Sequence, residues 1–247
     1  MGIEDANYVD NIGSLHLDSS RIDFIEDCDI QPNLDRLAQI ARQSDGTAYE
    51  NALFDLINQH LTVFRNRQHY GTQATGQRLS DIAFTAPIKN SDGQDANILV
   101  IIECKAGNAV RAFDERKERD DIINVVNRYN EQHIDYAGIW YWVADSDALP
   151  TEGAHGGSRA SNLSKSFAEK LNDLQFTITE LSRVPTIVTA FSITALTTYL
   201  RYLYQHTNNG HDKVITKLTV PHFWRWSKHF MHLQYITIHH NLNSLNQ

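Results

Sequence analysis

Asp81, Glu103 and Lys105 are the residues of this chain whose types and spacing suit phosphoryl chemistry. Glu103 and Lys105 close the stretch NILVIIECKAG (97–107), an aliphatic run that ends in a carboxylate and an amine two positions apart. Side chains alternate across a strand, so these two share one face while Cys104 points to the other. Two charges at the end of a buried strand need a partner or a metal to offset their desolvation. Asp81, in LSDIAF (79–84), supplies a candidate. If 78–88 and 97–105 pair as a hairpin about a centre near 92–93, Asp81 stands opposite residues near 104. Asp81 and Glu103 would then share one divalent cation. Oxygen-only ligation suits Mg²⁺, which uses one or two carboxylates, keeps several waters and takes substrate phosphate as a further ligand. Such an ion polarises a scissile phosphate and lowers the pKa of a bound water; Lys105 would orient that water or offset charge building on phosphorus. The competing reading is an ordinary ion pair at a sheet edge, with Asp81 unrelated to it.

The elements that must position these residues can be read from periodicity. NLDRLAQIAR (33–42) and AYENALFDLINQHLTVF (48–64) carry apolar residues at helical spacing and are separated by SDGT. Short strands are expected at 78–88 and 98–105 around the turn cluster NSDGQDAN (90–97). A charged helix over 114–132 has an apolar stripe at Ile122, Val125, Val126 and Tyr129. Then follow a strand at 136–146, a loop containing GAHGGS (153–158), a helix at 163–174, a strand at 184–191 and a helix at 192–207 with Ser192 as its N-cap. This order predicts an α/β domain over 34–247, with a mixed central sheet flanked by helices. Residues 1–33 read as an acidic arm in front of it.

Composition sets the boundaries of function. Hydrophobic residues make up 41% of the 247 and charged residues 21%, the balance of a globular domain with a sizeable core. No apolar stretch approaches a membrane span, the acidic N-terminus is unlike a signal peptide, and Ala6 stands where a myristoylation signal wants Ser or Thr. Cys28 and Cys104 form neither a disulfide framework nor a zinc pattern, so a cytoplasmic protein is expected. The net charge of −8 is uneven: residues 1–60 hold 12 acidic and 3 basic side chains, and 61–247 hold 18 and 19. The acidity therefore belongs to the N-terminal quarter, and the remainder can offer a local basic face to phosphates.

Asp81…Glu103-Cys104-Lys105 resembles the PD-(D/E)xK nucleases, and its surroundings resemble the cleavage domain of FokI-like type IIS restriction endonucleases. DRLAQIARQSDGTAYENALFDLI is similar to that domain's opening helices, NVVNRYNEQ to the helix after its catalytic strand, and TAFSITALTTYL to its late strand-to-helix segment. The likeness spans roughly 34–230. It implies a restriction-endonuclease-like fold and Mg²⁺-dependent cleavage of DNA, with Asp81 and Glu103 as metal ligands and Lys105 serving the attacking water. It also implies a supporting metal contact from Glu50, which a solvated helix carboxylate would equally explain. Two positions depart from the family. Ser80 stands where the family has Pro, and Asn124 and Arg128 stand where its dimerisation helix pairs an Asp with an Arg. The second departure speaks against a FokI-like symmetric dimer.

Further residues suit a DNA partner. Arg111, Arg116, Lys117 and Arg119 can track a phosphate backbone, although interleaved acids also make this an ordinary solvated face. Arg159, beside the glycines of GAHGGS, can approach DNA, or that segment is a plain loop. The tail mixes Lys217, Arg225 and Lys228 with aromatics and histidines, as at nucleic-acid or protein interfaces. The chain ends before the helix a His-Asn nuclease site at IHHNLN (238–243) would need, and the histidines lack zinc spacing. The function expected is the cleavage subunit of a restriction or nicking enzyme, with a larger recognition subunit or a second copy on DNA as its partner. The alternative is a catalytically silent nuclease-like domain that binds DNA or protein.

Overall fold

A computed structural model describes residues 8–9, 30–43, 45–71, 79–89, 95–106, 113–146 and 158–207. Its centre is the strand Asp95–Lys105 (β4), buried from Ile98 to Glu103 on both faces. β4 pairs antiparallel with Ile82–Lys89 (β3), which pairs antiparallel with Arg65–His69 (β2). On its other side β4 pairs parallel with Ile139–Asp145 (β5), followed by Thr186–Phe191 (β6) and the two-residue Tyr8–Val9 (β1). The sheet order is β1-β6-β5-β4-β3-β2, a mixed sheet. Parallel neighbours need crossovers, and the helices Glu115–Glu131 (α3) and Ser158–Ser182 (α4) provide them.

Each sheet face has its own core, and β4 divides its side chains between them. Ile98, Val100 and Ile102 face Gln31–Ala41 (α1), Gly46–His60 (α2) and Ile193–Thr207 (α5), through residues such as Leu34, Leu53, Ile57 and Leu200. Leu99 and Ile101 face α3 and α4, against Ile122, Val125, Tyr129, Leu174 and Ile178. Full burial of each such aliphatic side chain contributes about 2 kcal/mol. The predicted stripe of α3 is buried in full at Ile122, Val125, Val126 and Tyr129. The α/β class and the helix-flanked mixed sheet expected from the sequence are both present.

Differences from the sequence reading have physical causes. RNRQH (65–69) has no apolar alternation, yet it forms β2 because β3 offers it a ladder; a register shift and the positive φ of Asn66 accompany the pairing. α4 extends beyond 163–174 at both ends, since its buried residues Leu171, Leu174 and Ile178 mark only part of a longer helix. Tyr8–Val9 pairs with β6, within the segment read as an arm. Arg111, residues 1–7 and 10–29 of that arm, the GAHGGS loop up to 157 and the tail from 208 lie outside the described residues, and of Arg159 only the helical backbone is described; the last residues of the arm, 30–33, belong to α1 and its N-cap. Among the described residues no helix is long and apolar enough to cross a membrane.

Candidate active site

The hairpin register places the two carboxylates. Ile82 faces Ile102 and Lys89 faces Asp95 across the β3–β4 ladder. One residue beyond the Ile82–Ile102 pair, Asp81 turns its side chain onto β4, and its Oδ2 accepts the Cys104 N–H at 2.7 Å. That bond fixes Asp81 beside Glu103. The face assignment also holds: Cys104 packs with the α1/α2/α5 core. Burial and the nearby carboxylates of Asp81, Glu103 and Glu50 push its thiol well above the ordinary range, so it is a neutral group there.

Lys105 is held by two acids. Its Nζ donates to Glu103 Oε1 at 2.7 Å and to Glu118 Oε1 at 2.8 Å. Burial alone would depress the ammonium pKa, but Glu103 and Glu118 outweigh it and raise the value well above that of an ordinary lysine. A protonated amine has no lone pair to take a proton, so Lys105 acts as a fixed cation and donor. Glu118 is wholly buried, and its Oε2 accepts the Tyr141 hydroxyl at 2.6 Å. Burial, then the charge of Glu103, raise the pKa of Glu118, while the hydrogen bonds from Lys105 and Tyr141 favour its ionised form. The N-cap explains how α3 delivers Glu118: Asp114 accepts from the backbone N–H groups of Arg116 and Lys117 and so fixes the first turn.

Glu103 Oε1 also accepts from Lys117 Nζ at 3.3 Å, whereas its Oε2 is buried and accepts no hydrogen bond. An uncompensated carboxylate oxygen in a buried site is costly. Lys117 reaches Asp121 as well, at 3.5 Å. Burial tends to lower the Lys117 pKa, but Glu103, Glu118 and Asp121 raise it overall. Asp81 shows the strain of this crowding: burial, then Glu103 and Glu50, push its pKa up to about 8.

Glu50 comes from the opposite layer. It is buried on α2, where its Oε1 meets His69 Nε2 at 2.7 Å at the end of β2. The His69 ring in turn stacks on Phe54, with centroids 4.7 Å apart. Burial raises the Glu50 pKa, and the charge of Glu103 adds to the rise against the lowering by His69. Asp81, Glu103, Lys105, Glu50 and Lys117 are thus brought together at one end of the sheet, where β4 and β5 both end; Asp145 pairs with Lys105 there. Open α/β sheets bind ligands outside the carboxyl ends of their parallel strands. Four carboxyl groups, Glu50, Asp81, Glu103 and Glu118, crowd about two ammoniums, Lys105 and Lys117, and burial together with the charge of Glu103 opposes ionisation of Glu50, Asp81 and Glu118.

The predicted basic face is divided. Lys117 turns inward to Glu103, Arg119 pairs with its neighbour Asp120 at 2.7 Å, and Arg116 is exposed. Sequence reading missed Glu118, Tyr141 and His69. A signal for Glu118 was present: it stands one turn before Ile122, which puts a carboxylate on the buried stripe of α3. Among the described residues no three His, Cys, Asp or Glu side chains form a ready-made metal cage. No family model, curated protein or solved structure matches the chain.

Proposed function

We propose that this protein is a Mg²⁺-dependent DNA endonuclease with a restriction-endonuclease-like fold, hydrolysing phosphodiester bonds as the cleavage subunit of a restriction or nicking enzyme. The observation that carries this reading is Glu103 Oε2, a buried carboxylate oxygen with no hydrogen bond, next to Asp81, whose ionisation burial and then the neighbouring acids oppose. A plain ion pair accounts for Glu103 Oε1, which meets both lysines, but leaves Oε2 bare and asks nothing of Asp81 beyond its hold on the Cys104 N–H. A divalent cation fits both. Mg²⁺ needs only one or two carboxylates plus substrate phosphate and water, so a three-residue cage is not required.

Asp81 and Glu103 would hold the cation, with Glu50 in support across the sheet edge. A bound divalent cation supplies Lewis-acid polarisation of a phosphate oxygen and a lower water pKa. Lys105 offers a fixed ammonium to charge building on phosphorus and to the attacking water, and it is not the base. Lys117, half-buried beside Glu103, offers a second positive charge toward the phosphate. A larger recognition subunit, or a second copy on DNA, would give site selection and a second strand cut.

The test is cleavage of supercoiled plasmid in Mg²⁺ or Mn²⁺, with EDTA and Glu103→Ala as controls. Nicking or linearisation that both controls abolish is expected, and Ca²⁺ should permit binding without turnover. Undiminished cleavage by Glu103→Ala would overturn the site. A protein that binds DNA or another protein but cuts no DNA in either metal would instead be a silent nuclease-like domain.

A further inference from the structure

Glu118 is used by neither the proposed metal site nor the substrate, yet it is the most deeply buried acid of the cluster. An ammonium has three N–H donors arranged tetrahedrally. Two of those on Lys105 are fixed, one on Glu103 Oε1 at 2.7 Å and one on Glu118 Oε1 at 2.8 Å. Two bonded donors oppose rotation about the terminal C–N bond and leave the third N–H a preferred direction. Glu118 is itself held from behind, because its Oε2 takes the Tyr141 hydroxyl from β5. The chain Tyr141–Glu118–Lys105–Glu103 therefore spans α3, β4 and β5 and depends on no mobile surface group. Glu103 alone would leave the ammonium free to turn about a single hydrogen bond.

We propose that Glu118 is a positioning residue that, anchored by Tyr141, locks the Lys105 ammonium so that its remaining N–H is aimed at the reacting phosphate group. This rests on the nuclease reading above and adds to it a residue acting through Lys105. Glu118 touches neither metal nor substrate; it removes the rotational freedom that a catalytic donor would otherwise lose in each turnover. The Gln side chain of Glu118→Gln retains an acceptor for Lys105 and a polar partner for Tyr141. Glu118→Ala retains neither. Tyr141→Phe keeps Glu118 but removes its rear anchor.

The experiment combines turnover with a spectroscopic signature that needs no substrate. The protein is labelled with ¹⁵N at the lysine Nζ, and the mobility of the Lys105 ammonium is measured by NMR, using Lys105→Arg to assign its signal. The unaltered protein and Glu118→Gln should show a restricted ammonium, and Glu118→Ala a freely rotating one. In plasmid cleavage, Glu118→Ala should lose about 100-fold in kcat with KM and Ca²⁺-supported DNA binding unchanged. Glu118→Gln should retain activity to within about tenfold, and Tyr141→Phe should fall about tenfold, which keeps the test sharp if Glu118→Ala does not fold. Cleavage by the unaltered protein with full turnover in folded Glu118→Ala, or an equally restricted ammonium there, overturns the proposal and leaves the nuclease reading standing. If Glu118→Ala does not fold, full turnover in Tyr141→Phe overturns it. A Glu118-dependent restricted ammonium in a protein that cuts no DNA overturns the nuclease reading and, with it, the catalytic purpose of the lock.

Discussion

Asp81→Asn removes one carboxylate charge from the cluster while leaving an oxygen to accept the Cys104 N–H. Burial, and then Glu103 and Glu50, raise the Asp81 pKa from 3.8 to about 8 in the folded chain. A group with a raised folded pKa stabilises the fold below its unfolded pKa, and that contribution is lost as pH rises through the folded value. The window therefore runs from about pH 4 to about pH 8 for Asp81. At 1.36 kcal/mol per unit the ceiling on the loss is about 6 kcal/mol, and solvent screening of a carboxylate that is not fully buried brings it to about 2–3 kcal/mol. The neutral side chain of D81N escapes this loss. It should match the unaltered protein at pH 4 and exceed it at pH 8 by about 2–3 kcal/mol, a rise of roughly 6 °C in Tm.

Thermal unfolding at pH 4, 6 and 8 in EDTA measures this directly, and repeating the series in Mg²⁺ tests the site. A cation that binds only the folded state adds about 1.4 kcal/mol at ten times its Kd. The unaltered protein should gain that increment at pH 8 and lose it toward pH 5, where Asp81 holds its proton. D81N should gain none. Stabilities that run parallel from pH 4 to 8, or an equal Mg²⁺ increment in both proteins, would refute the reasoning.

Lys105→Arg keeps the charge but puts a wide planar fork between Glu103 and Glu118, so turnover should fall by at least about 100-fold in a plasmid assay with the fold intact by circular dichroism. Cys104→Ser alters only the far face of β4: unfolding should show a loss of about 1 kcal/mol, and calorimetry an unchanged cation affinity. Lys117→Ala removes a positive charge 3.3 Å from Glu103, so calorimetry should show roughly fivefold tighter Mn²⁺ binding while turnover drops. Light scattering at micromolar concentration should give a monomer. The apolar stripe of α3 is buried within its own chain, and the Arg128 guanidinium lies 5.4 Å from the Tyr70 ring centroid rather than waiting for a partner's acid.

The sequence carried local information well. Alternation in β4 told which of Glu103, Cys104 and Lys105 share a face, and the turn cluster before it told where the hairpin folds back. The ladder centres on residue 92, as the Ile82–Ile102 pair requires. β2 was not legible, because its five residues carry no hydrophobic alternation and become a strand only where β3 offers them a ladder. His69 shared that fate: it meets Glu50 only because β2 ends where α2 passes.

A larger blind spot concerned charge. RAFDERKERDD reads as an alternating, solvent-facing helix start, and its basic residues invite a role on the DNA backbone. The apolar stripe places the helix differently. Ile122, Val125 and Val126 turn one side of α3 onto the sheet, and the positions one turn earlier, Glu118 and Asp121, are carried inward with them. Their burial costs several kcal/mol per uncompensated charge, and two lysines at the end of the sheet, with the Tyr141 hydroxyl on Glu118, help to offset it. Lys105 and Lys117 are those lysines, which is why Lys117 leaves the predicted phosphate-tracking row while Arg116 remains exposed. An ion pair of Glu103 with Lys105 alone would have needed none of this. The cluster instead keeps two lysines on one oxygen of Glu103 and leaves the other bare beside a carboxyl that resists ionisation. That bare oxygen beside Asp81 is what the proposed cation would take up.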